Sequence, residues 1–214
     1  MKFRIIIIIA VLLSNSCTSP RLLELRKIKI HIATMTNIDQ KAAYIKQGKY
    51  ENFTQIEWLN FKDSVFSANK LEIEKYFDKY GFLGIKKFGK QTSYNFFLLT
   101  QHCDKFPDFQ ERVLTSLKIE IDKKNADSRN YAYLYDRVMK NTNRKLLFGT
   151  QVSYDSTGKA FPINLEDSIN VDTRRIKYKL DSLKSYLNDM TFNHYNMNKQ
   201  FYNLKGINEP NLYK

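Results

Sequence analysis

Residues 101–104 read Gln-His-Cys-Asp and bring an amide, an imidazole and a carboxylate together within four positions. His102 follows Leu98 by four residues and Leu99 by three, so a helix places it on their apolar face. It is either a core histidine satisfied by one hydrogen bond or a general base that uses both ring nitrogens. Asp104, two residues later, is a candidate to orient the ring or to accept a proton.

A second polar group lies in residues 131–138, where Asp136 and Arg137 adjoin an apolar face. Adjacent residues on a helix point about 100° apart, so this pair is expected to serve two different partners. The simpler interpretation is a solvated helix edge.

A third group lies in residues 146–151, which read Leu-Leu-Phe-Gly-Thr-Gln. Gly149 among β-prone residues indicates a bulge or a place where another group approaches the backbone. Thr150 and Gln151 point to opposite sides of a strand, so one of them is expected to face the helices. An ordinary strand end is the alternative interpretation.

These segments resemble a bacterial domain family of unknown function, often exported, with QHxD, DR and YGTQ signatures. The resemblance covers about residues 35–187. The matching strings are Asp39-Gln40, Tyr80-Gly81-Phe82, Gly89, Gln101-His102-x-Asp104, Ala132-x-Leu134-x-Asp136-Arg137, Phe148-Gly149-Thr150-Gln151 and Val171-Asp172-x-Arg174-Arg175.

The resemblance implies a mainly helical domain without assigning an activity. This chain departs from the family's pattern at three places. Leu83 follows Gly81-Phe82 where the family usually has Pro, residues 146–148 replace a Gln-x-Tyr string, and Lys179 stands where a Gly is common. The second change removes two polar groups, so family chemistry would be weakened or directed to another ligand.

Three hypotheses of function follow. The first is a polar pocket for a polar or anionic small ligand, because Arg offers a bidentate fork to carboxylate or phosphate. Its expected ligand-binding residues are Gln101, His102, Asp136, Arg137, Thr150, Gln151, Arg174 and Arg175. The second is a hydrolase with His102 as general base, oriented by Asp104 or Asp136. The third is a structural or protein-interaction lipoprotein, in which the buried polar network only specifies the fold.

Other site types are not expected. No Cys or His pair has zinc spacing, and no phosphate-binding loop, dinucleotide fingerprint or nucleophile elbow occurs. The sequence therefore predicts no metal and no cofactor.

The scarcity of Gly (seven) and Pro (four) among 214 residues favours long helices. Apolar residues recur every three or four positions, which predicts a compact, mainly α domain. The expected helices cover residues 21–47, 53–80 (as one or two helices), 93–103, 107–124, 131–138 and 167–188. Alternation of Ile28, Ile30 and Ile32 leaves a strand as a rival for part of the first helix.

One small β-hairpin is expected near residues 146–163, because two β-prone runs flank the turn residues Asp155-Ser-Thr-Gly158. Residues 21–188 are expected to form a single domain, and the Asn- and Tyr-rich residues 189–214 a loosely packed extension. Cys103 is expected to be a buried thiol.

The amino terminus has the order of an export signal with a lipidation site: Lys2 and Arg4, an apolar run from Ile5 to Leu13, and a small residue before Cys17. That run is too short to span a bilayer, which takes roughly 20 residues. Residues 1–16 are therefore expected to be removed and Cys17 acylated. Residues 17–20 would tether the domain to a membrane of the bacterial cell envelope.

The spacing of the residues before Cys17 resembles the looser lipidation motifs of Bacteroidetes-type lipoproteins. The alternatives are a cleaved signal of a soluble secreted protein and a short uncleaved membrane anchor. The net charge of +13, lowered by two without Lys2 and Arg4, is spread along the chain with no run of five basic residues. Compositional drift is the simplest explanation of this positive charge, and attraction to a membrane surface is the alternative. We expect no nucleic-acid partner.

Overall fold

The structure is a computed structural model that describes residues 20–214. The export signal, Cys17 and most of the tether lie outside the described residues. The α-helices are α1 Pro20–Ala43, α2 Gln55–Tyr80, α3 Ile85–Phe88, α4 Lys90–Gln101, α5 Pro107–Asp122, α6 Ser128–Asn141, α7 Val171–Lys177, α8 Leu183–Met197 and α9 Lys199–Leu204. Strands β1 Val152–Tyr154 and β2 Ala160–Pro162 form an antiparallel hairpin.

The mainly α fold and its small hairpin confirm the expected fold class. Residues 28–32 belong to helix α1, so the rival strand there is wrong. Both Ile28 and Ile32 are buried, whereas Ile30 is exposed, as helical spacing requires.

Helix α2 is one continuous helix, because its start is capped and no breaker interrupts it. Thr54 and Glu57 form a reciprocal capping box at its first turn. Gly81 ends it with φ +66°, a left-handed conformation in which glycine has no steric penalty.

Helix α4 lies at the centre of the domain and packs against α1, α2 and α6, while α5 packs against α6. Its Phe96 and Leu99 are almost fully buried in the main core, together with Ile32 of α1 and Leu134 of α6. The central position explains why the chain segment that follows α4 can contact several elements at once.

The hairpin is shorter than expected, because residues 146–150 form a loop rather than a strand. Leu146 makes only an isolated bridge with Leu165, and regular pairing begins at Val152 opposite Pro162. The loop is held instead by a side chain of α6, as described below.

The expected helix over residues 167–188 is broken into α7 and α8. Lys179, between them, has φ +59°, which a continuous α-helix does not allow. Ile169 and Ile176, counted in its apolar stripe, are 91% and 72% exposed.

The carboxyl-terminal residues pack on the hairpin. Helix α8 crosses the boundary expected at residue 188, and α8 contacts both β2 and α9. Tyr202 is buried, and the Tyr213 hydroxyl donates to the Ala160 carbonyl at 2.7 Å. These contacts differ from the loose packing expected, since Tyr202 is buried and Tyr213 is hydrogen-bonded to strand β2.

Across residues 20–214, no helix combines the length and apolar character that a membrane span requires.

Candidate functional site

His102 is the C-cap residue of α4, directly after the last helical residue, Gln101. Its Nδ1 is 2.7 Å from Oδ2 of Asp39 on α1, 63 residues earlier in the chain. An ionised carboxylate only accepts hydrogen bonds, so Nδ1 carries the hydrogen in this contact. In the neutral ring, Nε2 is then the basic nitrogen.

Asp39 is fully buried and makes three hydrogen bonds to side chains. Besides His102, Gln40 donates to Oδ2 at 3.0 Å and Asn69 of α2 donates to Oδ1 at 3.2 Å. The Phe66 ring packs on the imidazole with its centroid 5.0 Å away. The ring of His102 is thus fixed in position from α1 and α2.

This arrangement corrects the expected orientation of His102: its carboxylate partner is Asp39, and neither Asp104 nor Asp136 contacts the ring. Sequence reasoning left Asp39 out of the site although two signals mark it. It continues the buried stripe of Ile32 and Met35 along α1, and it belongs to the Asp-Gln string of the family resemblance.

Gln101 and His102 line a cavity of about 610 Å3 between α4, α6 and the segment that joins α7 to α8. We call it the Gln101 cavity. Its wall is Tyr94, Phe97, Leu98, Gln101, His102, Asp127, Arg129, Asn130, Tyr133, Arg175, Lys179, Leu180, Asp181 and Tyr186. His102 also borders a smaller cavity of about 330 Å3 beside Phe66 and Asp104, so it forms part of the wall of both.

The Gln101 side chain carries an unsatisfied donor. The residue is 9% exposed, and among the described residues its buried Nε2 has no hydrogen-bond partner. Such a group costs roughly 1–3 kcal/mol unless something in the cavity accepts its hydrogen bond. The Gln110 side chain fixes the backbone next to Gln101 by donating to the carbonyl of Thr100 at 3.0 Å.

Arg175 is 1% exposed and lies on the same cavity wall. It donates to the backbone carbonyls of Asp181 at 2.6 Å and Phe148 at 2.5 Å, and its guanidinium lies 5.0 Å from the Tyr186 ring centroid. Within residues 20–214 no carboxylate pairs with it. Burial lowers the pKa of this guanidinium, which nevertheless remains charged at any physiological pH.

Asp136 is fully buried and holds the loop after α6. It accepts from the backbone N–H groups of Leu147, Phe148 and Thr150 at 2.8–3.1 Å, and from the Thr150 hydroxyl at 3.0 Å. Burial raises the pKa of Asp136, and these hydrogen bonds oppose that rise. Its acceptor positions are occupied within the fold.

The backbone of Phe148 joins this network to the cavity. The N–H of Phe148 donates to Asp136, and the carbonyl of Phe148 accepts from Arg175. Gly149 allows the turn with φ +66°, and an added Cβ would lie 2.8 Å from the Leu183 side chain. Asp136 and Thr150 therefore position Arg175 and do not face the cavity themselves.

A second network surrounds Arg137, and Asn141 links it to Gln110 by donating to the Gln110 amide oxygen at 2.9 Å. The Arg137 guanidinium forms a bidentate pair with Asp104 at 2.7 and 2.6 Å, and Asn141 donates to the same carboxylate at 2.8 Å. Partial burial alone would raise the pKa of Asp104, but the Arg137 bonds and charge outweigh it and lower that pKa. Gln151 joins this network with a 3.4 Å contact to Arg137.

The expected site residues thus divide into three groups. Gln101, His102 and Arg175 line one cavity, Asp136 and Thr150 hold the loop behind it, and Arg137 pairs with Asp104 elsewhere. Arg174 points away from the cavity to the carbonyls of Leu147, Glu166 and Asp167 and to the Asp167 carboxylate. We expected all of these side chains to converge on one point, and they do not. Successive residues of a helix point in different directions, so neighbouring side chains contact different parts of the domain.

The described part of the chain contains no group of three or more His, Cys, Asp or Glu side chains placed to hold a metal ion. Cys103 is buried and donates weakly to the Leu99 carbonyl at 3.3 Å. Burial raises the pKa of its thiol, which keeps the sulfur protonated and unreactive.

Comparison with curated proteins and with solved structures gave no match. A family model does match, over residues 27–198, which covers most of α1, all of α2 to α8 and every side chain of the cavity wall. This chain belongs to that family, DUF6624, a family of unknown function.

Proposed function

We propose that the protein is a lipoprotein of the bacterial cell envelope, held to a membrane through acylated Cys17, whose Gln101 cavity binds a small anionic ligand. The carrying observation is the buried, unpaired Nε2 of Gln101 on a wall that it shares with Arg175. An amide donor and a guanidinium without a carboxylate are complementary to the oxygens of a carboxylate or phosphate.

An acceptor group in the cavity would be complementary to two side chains of its wall. A bound oxygen would satisfy the Gln101 donor, whose desolvation is otherwise uncompensated. It would also neutralise Arg175, which has only carbonyl partners in the described residues. The same kind of ligand atom, an oxygen acceptor, would therefore form hydrogen bonds with both side chains.

The charges of the cavity wall point the same way. Three cations, Arg129, Arg175 and Lys179, face two acids, Asp127 and Asp181. Asp127 is already occupied, because it caps α6 and pairs with Arg129 at 3.0 Å. A low-dielectric cleft with this excess of positive charge attracts anions.

The ligand proposal is tested by calorimetric titration with inorganic phosphate and with succinate. We expect at least one to bind the wild type, Gln101→Leu to weaken it at least tenfold, and Gln101→Glu to abolish it by charge repulsion. Gln55→Leu, at the exposed start of α2, is the matched control and should bind normally. Binding by neither anion, or equal binding by Gln101→Leu, would overturn the proposal.

The anchor is tested by replacing Cys17 with Ser. We expect the wild type in the membrane fraction with an added acyl mass, and the variant unlipidated and released. Wild type that fractionates as soluble with no acyl mass contradicts this part of the proposal.

The Asp39–His102 contact favours hydrolysis as a second candidate function. Nε2 of His102 would take one proton from a water molecule as its oxygen attacks an ester or phosphoester, and would return that proton to the leaving oxygen. Asp39 would hold the tautomer and stabilise the imidazolium.

The test is hydrolysis of p-nitrophenyl acetate and p-nitrophenyl phosphate by wild type, His102→Gln and Asp39→Asn. We expect a rate above background in the wild type, lost in the first variant and reduced in the second. A rate that survives His102→Gln assigns any turnover to something other than this histidine.

A further inference from the structure

The Gln101 cavity adjoins a larger cavity of about 940 Å3 at the ends of α4, α5, α6 and α7. We call the larger one the lysine trough, after Lys90, Lys124, Lys177 and Lys179 in its wall. The two cavities share Tyr94, Asp127, Arg129, Asn130 and Lys179. The shared residues place the two cavities side by side on the domain.

The trough is strongly basic. Its wall holds the four lysines and Arg129, and among the described residues that line it Asp127 is the only acid. That acid is paired with Arg129. None of the four lysines has a carboxylate partner in residues 20–214, whereas six lysines elsewhere on the domain do.

Two of these lysines stand at backbone positions that normally select glycine. Lys124, after α5, has φ +54°, and Lys179, after α7, has φ +59°. A side chain at such a helix end carries a steric cost that glycine avoids. The backbone strain is not explained by any contact of these two side chains with an acid of the domain.

We propose that the lysine trough binds a second anionic group of the ligand, so that the ligand is a linear chain carrying several negative charges. This inference rests on the proposed anion site at Gln101 and extends it. One anionic group would accept from Gln101 and Arg175, and those that follow along the chain would lie against Lys179 and Lys124.

The phosphate form of this chemistry is tested with inorganic tripolyphosphate, and the carboxylate form with trigalacturonate. Affinities are measured by calorimetry at one fixed ionic strength, because contacts to exposed lysines are screened by salt. We expect the better of the two chains to bind at least tenfold more tightly than orthophosphate or galacturonate alone.

Lys124→Gly separates the trough from the Gln101 cavity, since Lys124 lines only the trough. We expect it to weaken the chain ligand three- to tenfold and to leave the single anion unchanged. Lys179→Gly should weaken both, because Lys179 lines both cavities. Glycine suits both positions, so the melting temperature should stay the same or rise.

Two controls match these changes. Asn143→Gly replaces another residue with positive φ, at +55° after α6, and Lys199→Gln removes an exposed charge at the start of α9. Both should bind the chain ligand normally.

The outcomes separate the two proposals. If single anions bind but neither chain binds more tightly, or if Lys124→Gly loses nothing, the trough proposal fails and the Gln101 site stands. If a chain binds through Lys124 while no single anion binds and Gln101→Leu has no effect, the trough stands and the Gln101 site fails. If no anion binds, both fail.

Discussion

Asp39 and Asp136 are both fully buried carboxylates in helices, yet their partners differ. Asp136 accepts from three backbone N–H groups and a hydroxyl of one adjoining loop. Asp39 accepts from three side chains, and one of them is His102, whose side chain is 18% exposed on a cavity wall.

The contrast separates a structural role from a positioning role. Asp136 determines where the backbone of residues 147–150 lies, and it acts on the cavity through two carbonyls of that backbone. The Phe148 carbonyl accepts from Arg175, and the Thr150 carbonyl accepts from the Tyr186 hydroxyl. Asp39 sets the tautomer of a group that a ligand can reach. A buried carboxylate is therefore informative about function when its partner, rather than the carboxylate itself, contacts a cavity.

The largest expected effect is on Asp136. Asp136→Ala leaves three backbone N–H groups without an acceptor in a buried loop, so we expect it to lower the free energy of unfolding by about 3–5 kcal/mol. Urea denaturation measures it. Thr150→Val keeps the loop's N–H groups and removes only the hydroxyl bond, so it should cost about 1 kcal/mol. A loss under 1 kcal/mol for Asp136→Ala would contradict the structural role.

Asp39→Asn should have a smaller effect on stability and a distinct effect on the ring. We expect a loss of roughly 1–3 kcal/mol, because the hydrogen bonds lose their charge. In nitrogen NMR spectra, His102 should shift from the Nδ1–H tautomer of the wild type toward the Nε2–H tautomer.

Asn69→Ala is the matched control for Asp39→Asn. It removes one bond to Asp39 but leaves the His102 contact, so it should lower stability without changing the tautomer. An unchanged tautomer in Asp39→Asn would show that the carboxylate does not orient the ring.

The Asp104–Arg137 pair, which is partly exposed, should contribute less than either buried carboxylate. Arg137 lowers the pKa of Asp104, so the pair stabilises the fold above the unfolded pKa of about 3.9 and loses this effect as the pH falls through the folded pKa. The stability difference between wild type and Asp104→Asn should shrink by less than about 1 kcal/mol from pH 6 to pH 3. A difference that grows on acidification would contradict the lowered pKa.

The smallest effect on stability is expected at Gln101. Gln101→Leu removes a buried donor that has no partner and replaces it with an apolar side chain, so the free energy of unfolding should fall by less than about 1 kcal/mol or should rise. A loss above 2 kcal/mol by thermal denaturation would indicate that the amide is a structural group of the fold.

Helix positions were predictable because they follow from local spacing. The stripes of α1 and α5 recur every three or four residues and bury one face of each helix, whereas Ile56, Leu59 and Leu71 of α2 are exposed. The failures lie where tertiary contacts override that pattern. Residues 146–150 are β-prone, yet the Asp136 carboxylate takes the N–H groups that a strand would have paired.

The candidate site was predictable only in part. His102 was identified from its place on an apolar helix face, Gln101 from the polar segment and family string that contain it, and Arg175 was one of two adjacent arginines. Asp39 was missed as the partner of His102 because the 63 residues between them carry no local signal of contact.

The sequence alone determined the helical fold class and the resemblance to a domain family of unknown function, and it predicts an amino-terminal export signal, because each depends on the order or periodicity of neighbouring residues. Only the tertiary structure decided which carboxylate orients His102, that Arg175 rather than Arg174 lines the cavity, and that Asp136 serves the backbone. These assignments depend on how α1, α4, α6 and α7 pack. Packing brings together residues that are far apart in the chain, and no local sequence pattern indicates that they are in contact.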